Sequence, residues 1–143
     1  MADILHHFPI KAPRQQVFAA ISMPAGLDAW WTKRSSGEPA QGAEYELGFG
    51  PGYDWRALVT RSVSGAKFEL EFISADKDWL GTRLGFAHDE KEGLTTVRFH
   101  HSVWFEANEH YRISSYCWAM YLRLLGRYVT KNEVVAYADR LDA

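Results

Sequence analysis

The chain has 143 residues, a length typical of one domain with a sizeable core. Its formal net charge of −2 and its pI of about 6.3 provide no basic field, which argues against a general nucleic-acid-binding protein. Aromatic residues make up 15% of the sequence and favour a core or a pocket wall rich in rings. We predict a single domain over residues 1–143.

The cysteine content and the hydropathy of the chain indicate its cellular compartment. Cys117 is the single cysteine and cannot form an internal disulfide, and no secretory leader is recognisable. No run approaches the ~18 consecutive apolar residues that would cross a bilayer. These features predict a cytoplasmic protein without membrane insertion.

The first segments are typical of one strand and two short helices. Residues 4–10 mix apolar and polar side chains and contain a proline next to their end, at Pro9, which predicts an edge strand. Two short helices are predicted, one over residues 14–21, which follow Pro13, and one over residues 24–31, which begin at Pro24. Residues 32–42 are rich in serine, glycine and charge, which predicts a surface loop.

Residues 43–104 change to the twofold period of strands. In the clearest case Phe68, Leu70 and Phe72 face one way while charged residues face the other, which indicates one buried face. Residues 89–93 are interpreted as a hairpin loop. Turn residues divide the region into five predicted strands, at residues 43–49, 55–63, 67–73, 82–88 and 95–104.

A long helix is predicted from Glu109 onward. Apolar residues recur at spacings of three and four up to about Ala138, and the band is wide enough to be largely enclosed by a sheet. Gly126 within it is interpreted as a point of close backbone approach. The fold class is therefore α+β, with a curved antiparallel sheet of about six strands around a long C-terminal helix.

This order of elements resembles the helix-grip superfamily (SRPBCC), which includes lipid-transfer START domains, polyketide cyclases and the birch-pollen allergen. Residues 10–13, 17–21 and 24–31 are similar to the opening of the branch named after the activator of the heat-shock chaperone ATPase. Residues 96–101, with Trp104 and Trp118, are similar to its last strand and closing helix. The resemblance implies a cavity between sheet and helix, whose contents differ widely within the superfamily.

The residues predicted to line that cavity are mostly aromatic, as is usual for a small-molecule site. The alternative is that these side chains fill the core and leave no cavity. One indole of the Trp30-Trp31 pair is expected to pack inward and the other to lie near the cavity mouth or at a partner surface. The candidates are Trp30, Tyr45, Phe49, Trp55, Phe72, Phe86, Phe99, His101, Trp118, Tyr121 and Leu125.

His101 is the polar residue of most interest, because it falls on the inward register of the last strand. With Tyr45 and Tyr121 as companions it could orient a ligand, and the alternative is a core histidine bonded to a neighbour. Three functions stay open. They are a protein that binds an apolar or aromatic, lipid- or polyketide-like molecule; a polyketide cyclase or dehydratase with His101 as proton shuttle; and a stress-response module that contacts a chaperone.

We predict neither a metal nor a cofactor. His88, His100, His101 and His110 suggest zinc, but neighbouring strand residues point to opposite faces and no paired cysteines or His-Glu-x-x-His spacing is present. No phosphate-binding or dinucleotide-binding glycine motif appears. A homodimer through exposed aromatics such as Trp79 and Trp104 is a further hypothesis.

Overall fold

The computed structural model describes residues 1–142, which form seven strands, three α-helices and a 3₁₀ segment. In chain order these are β1 (Ala2–Ile10), α1 (Arg14–Ser22), α2 (Pro24–Trp30), β2 (Arg34–Ser36), β3 (Glu44–Gly48), β4 (Asp54–Val63), β5 (Lys67–Ser74), β6 (Arg83–Lys91), β7 (Leu94–Trp104), α3 (Glu109–Lys131) and the 3₁₀ segment Tyr137–Asp142.

The strands make one antiparallel sheet in the order β1-β7-β6-β5-β4-β3-β2. Register shifts on β4 mark bulges, which increase the bend and twist of a strand and curve the sheet. On β5, Phe68, Leu70 and Phe72 are each 1% exposed, so the predicted buried face is confirmed. The concave face packs against α3, which confirms the predicted α+β helix-grip fold.

Two loop predictions were wrong, and the sheet has seven strands rather than about six. Residues 32–42 contain β2, which pairs with β3. The side chain of Arg34 lies across Gly48, which has no Cβ to block it, and pairs with Asp54 on β4. Residues 89–91 continue β6, because the turn needs only Glu92 and Gly93, both with positive φ.

α3 has 23 residues and is shorter than predicted. It ends at Lys131 because Asn132 adopts the left-handed conformation, and the Asn132 N–H donates to the carbonyls of Arg127 and Tyr128. A Cβ at Gly126 would meet no described atom within 4 Å, so the predicted close approach there was wrong. Within residues 1–142, no helix combines the length and apolar character that crossing a bilayer requires.

The close approach occurs instead between α1 and α2. A Cβ at Gly26 would lie 2.6 Å from the backbone of Ala20, so only glycine allows this contact. The Trp30 indole N–H donates to the Ala20 carbonyl at 2.9 Å and fixes the angle between the two helices. Trp30 therefore packs against α1 and sets the position of α2 relative to it.

Candidate functional site

The space between the sheet and α3 is occupied by side-chain rings in mutual contact. Neighbouring ring centroids are 4.8–6.2 Å apart, within the range of favourable aromatic contacts. In this conformation the rings themselves fill the space. We call the following set the aromatic cluster: Trp31, Phe49, Trp55, Phe72, Trp79, Phe99, Trp104 and Trp118.

The residues predicted to line a cavity divide into two groups. Phe49, Trp55 and Tyr121 are only partly buried and lie at one edge of the cluster, which we call the mouth. The other candidates are at most 5% exposed: Trp30, Tyr45, Phe72, Phe86, Phe99, His101, Trp118 and Leu125.

Three members of the cluster were not recognised from the sequence. Trp31 is 3% exposed and contacts both Phe49 and Trp118, so both indoles of the Trp30-Trp31 pair are buried. Trp79 and Trp104, named as examples of exposed aromatics that could form a dimer, are 8% and 1% exposed, so these two examples were wrong.

Local geometry explains why Trp79 and Trp104 are buried. Trp79 lies in the loop between β5 and β6, and its indole N–H donates to the Ser114 hydroxyl of α3 at 3.3 Å. On β7, Val103 has a φ of 67° in an irregular pairing with β1, and this interrupts the alternation of inward and outward residues. Trp104 therefore points inward where strict alternation would place Val103.

His101 is held by two hydrogen bonds in the middle of the cluster. Its Nε2 lies 2.8 Å from the Thr82 hydroxyl, and its Nδ1 accepts from the Trp118 indole N–H at 3.1 Å. The Thr82 hydroxyl has one proton and donates it to the Trp79 carbonyl at 2.6 Å. Thr82 must therefore accept from His101, which fixes the neutral tautomer with the proton on Nε2.

This bonding occupies both ring nitrogens of His101, so neither is free for proton transfer to a ligand. A second proton, on Nδ1, would point at the Trp118 N–H, and burial together with the charges of His100 and His110 lowers the pKa of His101 to about 3. An acid–base role needs a pKa near the working pH and access to a reacting atom. The geometry matches the alternative of a core histidine bonded to its neighbours.

The predicted tyrosine companions of His101 lie elsewhere. The Tyr45 hydroxyl donates to the Ser22 carbonyl at the end of α1, and burial raises the pKa of Tyr45 far above its usual range. Tyr121 lies at the mouth, where burial raises its pKa to about 12. Thr82 and Trp118 are the actual partners of His101, and no periodic pattern identifies them.

Besides the half-buried His6, whose Nε2 is buried, two fully buried side chains have nitrogens without a hydrogen-bond partner within residues 1–142. One is the indole N–H of Trp104, whose ring centroid lies 4.9 Å from that of His101. The other is His88, 3% exposed and close to the rings of Phe18 and Phe86. The Gly65 carbonyl lies near its ring without hydrogen-bond geometry, and burial lowers the pKa of His88 to about 4.

The segment after α3, residues 133–142, lies beside the mouth; we call it the C-terminal strap. The Tyr137 hydroxyl donates to the Phe49 carbonyl at 2.9 Å. The guanidinium of Arg140 is buried and donates to the carbonyls of Asp28 and Thr32 at 2.7 and 3.1 Å. The strap therefore ties the end of α3 to α2 and to the turn between β3 and β4.

Metal ligation receives no support from the described geometry. Within residues 1–142, no three His, Cys, Asp or Glu side chains converge on a common point. His100 lies on the outer face of the sheet, opposite to His101, and its Nε2 is 3.2 Å from Glu69. His110 pairs with Asp78.

The same architecture occurs in several solved structures. The Aha1 dimer from Colwellia psychrerythraea matches with a TM-score of 0.83 and 27% identity, over 93% of this chain and 99% of that one. The protein SSP2350 from Staphylococcus saprophyticus matches with a TM-score of 0.79 and 18% identity, over 94% and 96% of the two chains. CalU16 from Micromonospora echinospora matches with a TM-score of 0.74 and 15% identity, over 98% and 81%.

Sequence comparison gives the family. A search of curated proteins finds no significant match. The profile of the family described as "Activator of Hsp90 ATPase homolog 1-like protein" matches residues 11–130, from the start of α1 to the last turn of α3. This is most of the chain, so the chain belongs to the Activator of Hsp90 ATPase homolog 1-like family.

Proposed function

We propose that the protein binds a small, planar, largely apolar molecule between the sheet and α3. The observation that carries the proposal is the aromatic cluster, which extends from the partly exposed mouth to a buried donor without an acceptor, Trp104 Nε1. Flat rings stack favourably on indole and phenyl faces. A ligand of similar shape could replace some of the contacts that the rings now make with one another.

The unpartnered Trp104 N–H narrows the ligand class. Buried donors nearly always have a partner, and leaving one unpaired costs about 1–3 kcal/mol. A ligand with a carbonyl or ether oxygen would supply the missing acceptor. This favours oxygenated aromatic molecules, such as flavonoids and aromatic polyketides, over saturated fatty acids.

Binding in this way requires the mouth to open. Tyr137 and Arg140 hold the C-terminal strap in place by side-chain hydrogen bonds to backbone carbonyls. The bond from the neutral tyrosine contributes about 0.5–1.5 kcal/mol, and each bond from the charged arginine contributes about 1.5–3 kcal/mol. Segments held by a few such bonds open locally at lower free energy than the core. Release of the strap would uncover Phe49 and Tyr121.

The test is a titration of the purified protein with flavone and with 2-phenylnaphthalene, which has a similar shape without the oxygens. Tryptophan fluorescence and the unfolding temperature report binding. A ligand of the folded state adds about 2.7 kcal/mol of stability at one hundred times its dissociation constant. We expect flavone to bind more tightly than the hydrocarbon.

Two variants make the test specific. Trp104→Phe keeps a ring but removes the donor, so the preference for flavone should disappear. Arg140→Ala loosens the strap and should speed association without changing that preference. If neither compound produces a saturable change in a protein that unfolds cooperatively, the proposal is wrong.

We also propose that two copies of the chain associate. The support is that the 27% identical Colwellia psychrerythraea structure is a dimer, and that Phe105 is 86% exposed. Ile113 and Tyr116 of α3 are exposed as well, and contiguous exposed apolar patches mark interaction surfaces. Sedimentation velocity from micromolar to submillimolar concentrations tests this proposal, and a single monomer boundary throughout would contradict it.

A further inference from the structure

One face of α3 carries exposed apolar and charged residues in a single stripe. Glu109, Arg112, Ile113 and Tyr116 follow the spacing i, i+3, i+4 and i+7, which places all four on one side of the helix. Ile113 is 55% exposed and Tyr116 is 82% exposed. The outward face of this half of the helix therefore presents apolar as well as charged side chains to solvent.

The stripe borders a groove and an exposed ring. Together with Ala107 and Asn108, its residues line a groove of about 540 Å³. Phe105 precedes Ala107 by two residues, so its Cα lies within about 7 Å of the Cα of that lining residue. An exposed aromatic residue and a groove lined by both apolar and charged side chains are thus parts of one surface.

The charges in the stripe have no partner. Within residues 1–142, neither Glu109 nor Arg112 forms an ion pair, whereas other charges on the surface, such as Arg56 with Glu44, are paired. Because the acidic Glu109 and the basic Arg112 lie about one turn apart on the same helix face, this face is complementary in charge to the same face of a second copy. A twofold axis would place Glu109 against the Arg112 of a second copy, twice.

We infer that this surface, formed by Phe105, Glu109, Arg112, Ile113 and Tyr116, is the contact between two copies of the chain. The inference rests on the self-association proposed above. The two α3 helices run antiparallel across a twofold axis, with Glu109 and Arg112 paired reciprocally. This register brings Phe105 toward Tyr116 of the second copy, so the exposed rings cover each other.

Charge reversal tests the pairing. Arg112→Glu places like charges against each other at both symmetric positions, and so does Glu109→Arg. Each variant alone should raise the dimer dissociation constant at least tenfold, because every dimer contains the altered contact twice. An equimolar mixture of the two variants restores opposite charges and should form a heterodimer. Sedimentation velocity measures all three samples.

Phe105→Ser tests the apolar part of the surface, with Tyr53→Ser as a control for loss of an exposed ring elsewhere. Tyr53 is 50% exposed in the turn between β3 and β4. Only Phe105→Ser should weaken the dimer. The altered side chains are exposed, so at protein concentrations too low for dimerisation the unfolding midpoints should match that of the wild type and exclude misfolding as the cause.

The outcomes separate the two proposals. A wild-type dimer that the charge reversals and Phe105→Ser leave intact would overturn this surface and keep the self-association. A wild-type monomer at all concentrations would overturn both. If this surface contacts a different protein, such as a chaperone, the wild type will be a monomer at all concentrations.

Discussion

Mild acid should destabilise the protein because two buried histidines must stay neutral in the folded state. Burial lowers the pKa of His88 to about 4 and that of His101 to about 3, whereas an unfolded histidine has a pKa of 6.5. Between these values the unfolded chain binds more protons than the folded protein. Stability is therefore fully present above pH 6.5 and is lost as the pH falls toward 4.

The magnitude follows from proton linkage. Each pH unit below the unfolded pKa lowers the free energy of unfolding by about 1.4 kcal/mol for each such histidine. At pH 5, about 1.5 units below that pKa, His88 and His101 each remove about 2 kcal/mol. Their sum of about 4 kcal/mol is a large part of the 5–15 kcal/mol typical of a native domain.

Urea unfolding at pH 7 and pH 5, followed by tryptophan fluorescence, measures this loss. His88→Leu removes one of the two groups together with its unpartnered nitrogens. We expect it to be at least as stable as the wild type at pH 7 and to lose about half as much stability at pH 5. His7→Leu, at an exposed position, controls for the substitution. Equal pH dependence in wild type and His88→Leu would show that neutral burial of His88 does not contribute to the loss of stability in acid.

Three further substitutions test the packing and the buried hydrogen bonds. Gly26→Ala should destabilise the protein by about 3 kcal/mol or more, because its Cβ would meet the Ala20 backbone at 2.6 Å. Gly126→Ala should stabilise it by about 1 kcal/mol, because the helix gains a better residue and the Cβ meets open space. Thr82→Val should cost about 1–3 kcal/mol, since the His101 Nε2–H loses its acceptor. Urea unfolding measures each value, and Gly26→Ala at wild-type stability would contradict the α1–α2 contact.

Periodicity predicted most of the fold because burial imposes it directly. On β5 one face is buried, with Phe68 against Phe18 of α1, and the other face meets water, so the alternation at Phe68, Leu70 and Phe72 was sufficient to predict the strand. It failed at β2, whose three residues are too few to show a period and whose pairing with β3 is a tertiary property. It also failed at Asn132, where one left-handed residue ends a helix whose apolar pattern continues.

The residue types of the candidate site could be predicted from the sequence, but their hydrogen-bond partners could not. An inward His101 among aromatic residues followed from the register of β7. Its partners, Thr82 and Trp118, come from a loop-to-strand junction and from α3, which only the tertiary fold brings together. The bulge at Val103 likewise turned Trp104 inward against the alternation. Contacts that depend on one irregular residue leave no periodic signal.

The most direct test of ligand binding uses the indole N–H signals of the six tryptophans in an NMR titration with flavone. We expect saturable shifts at Trp31, Trp104 and Trp118, the largest at Trp104 because its N–H gains an acceptor. Trp30, which is bonded to Ala20 against α1, should change least. Unchanged signals at Trp104 and Trp118 at saturating flavone would contradict a ligand site between the sheet and α3.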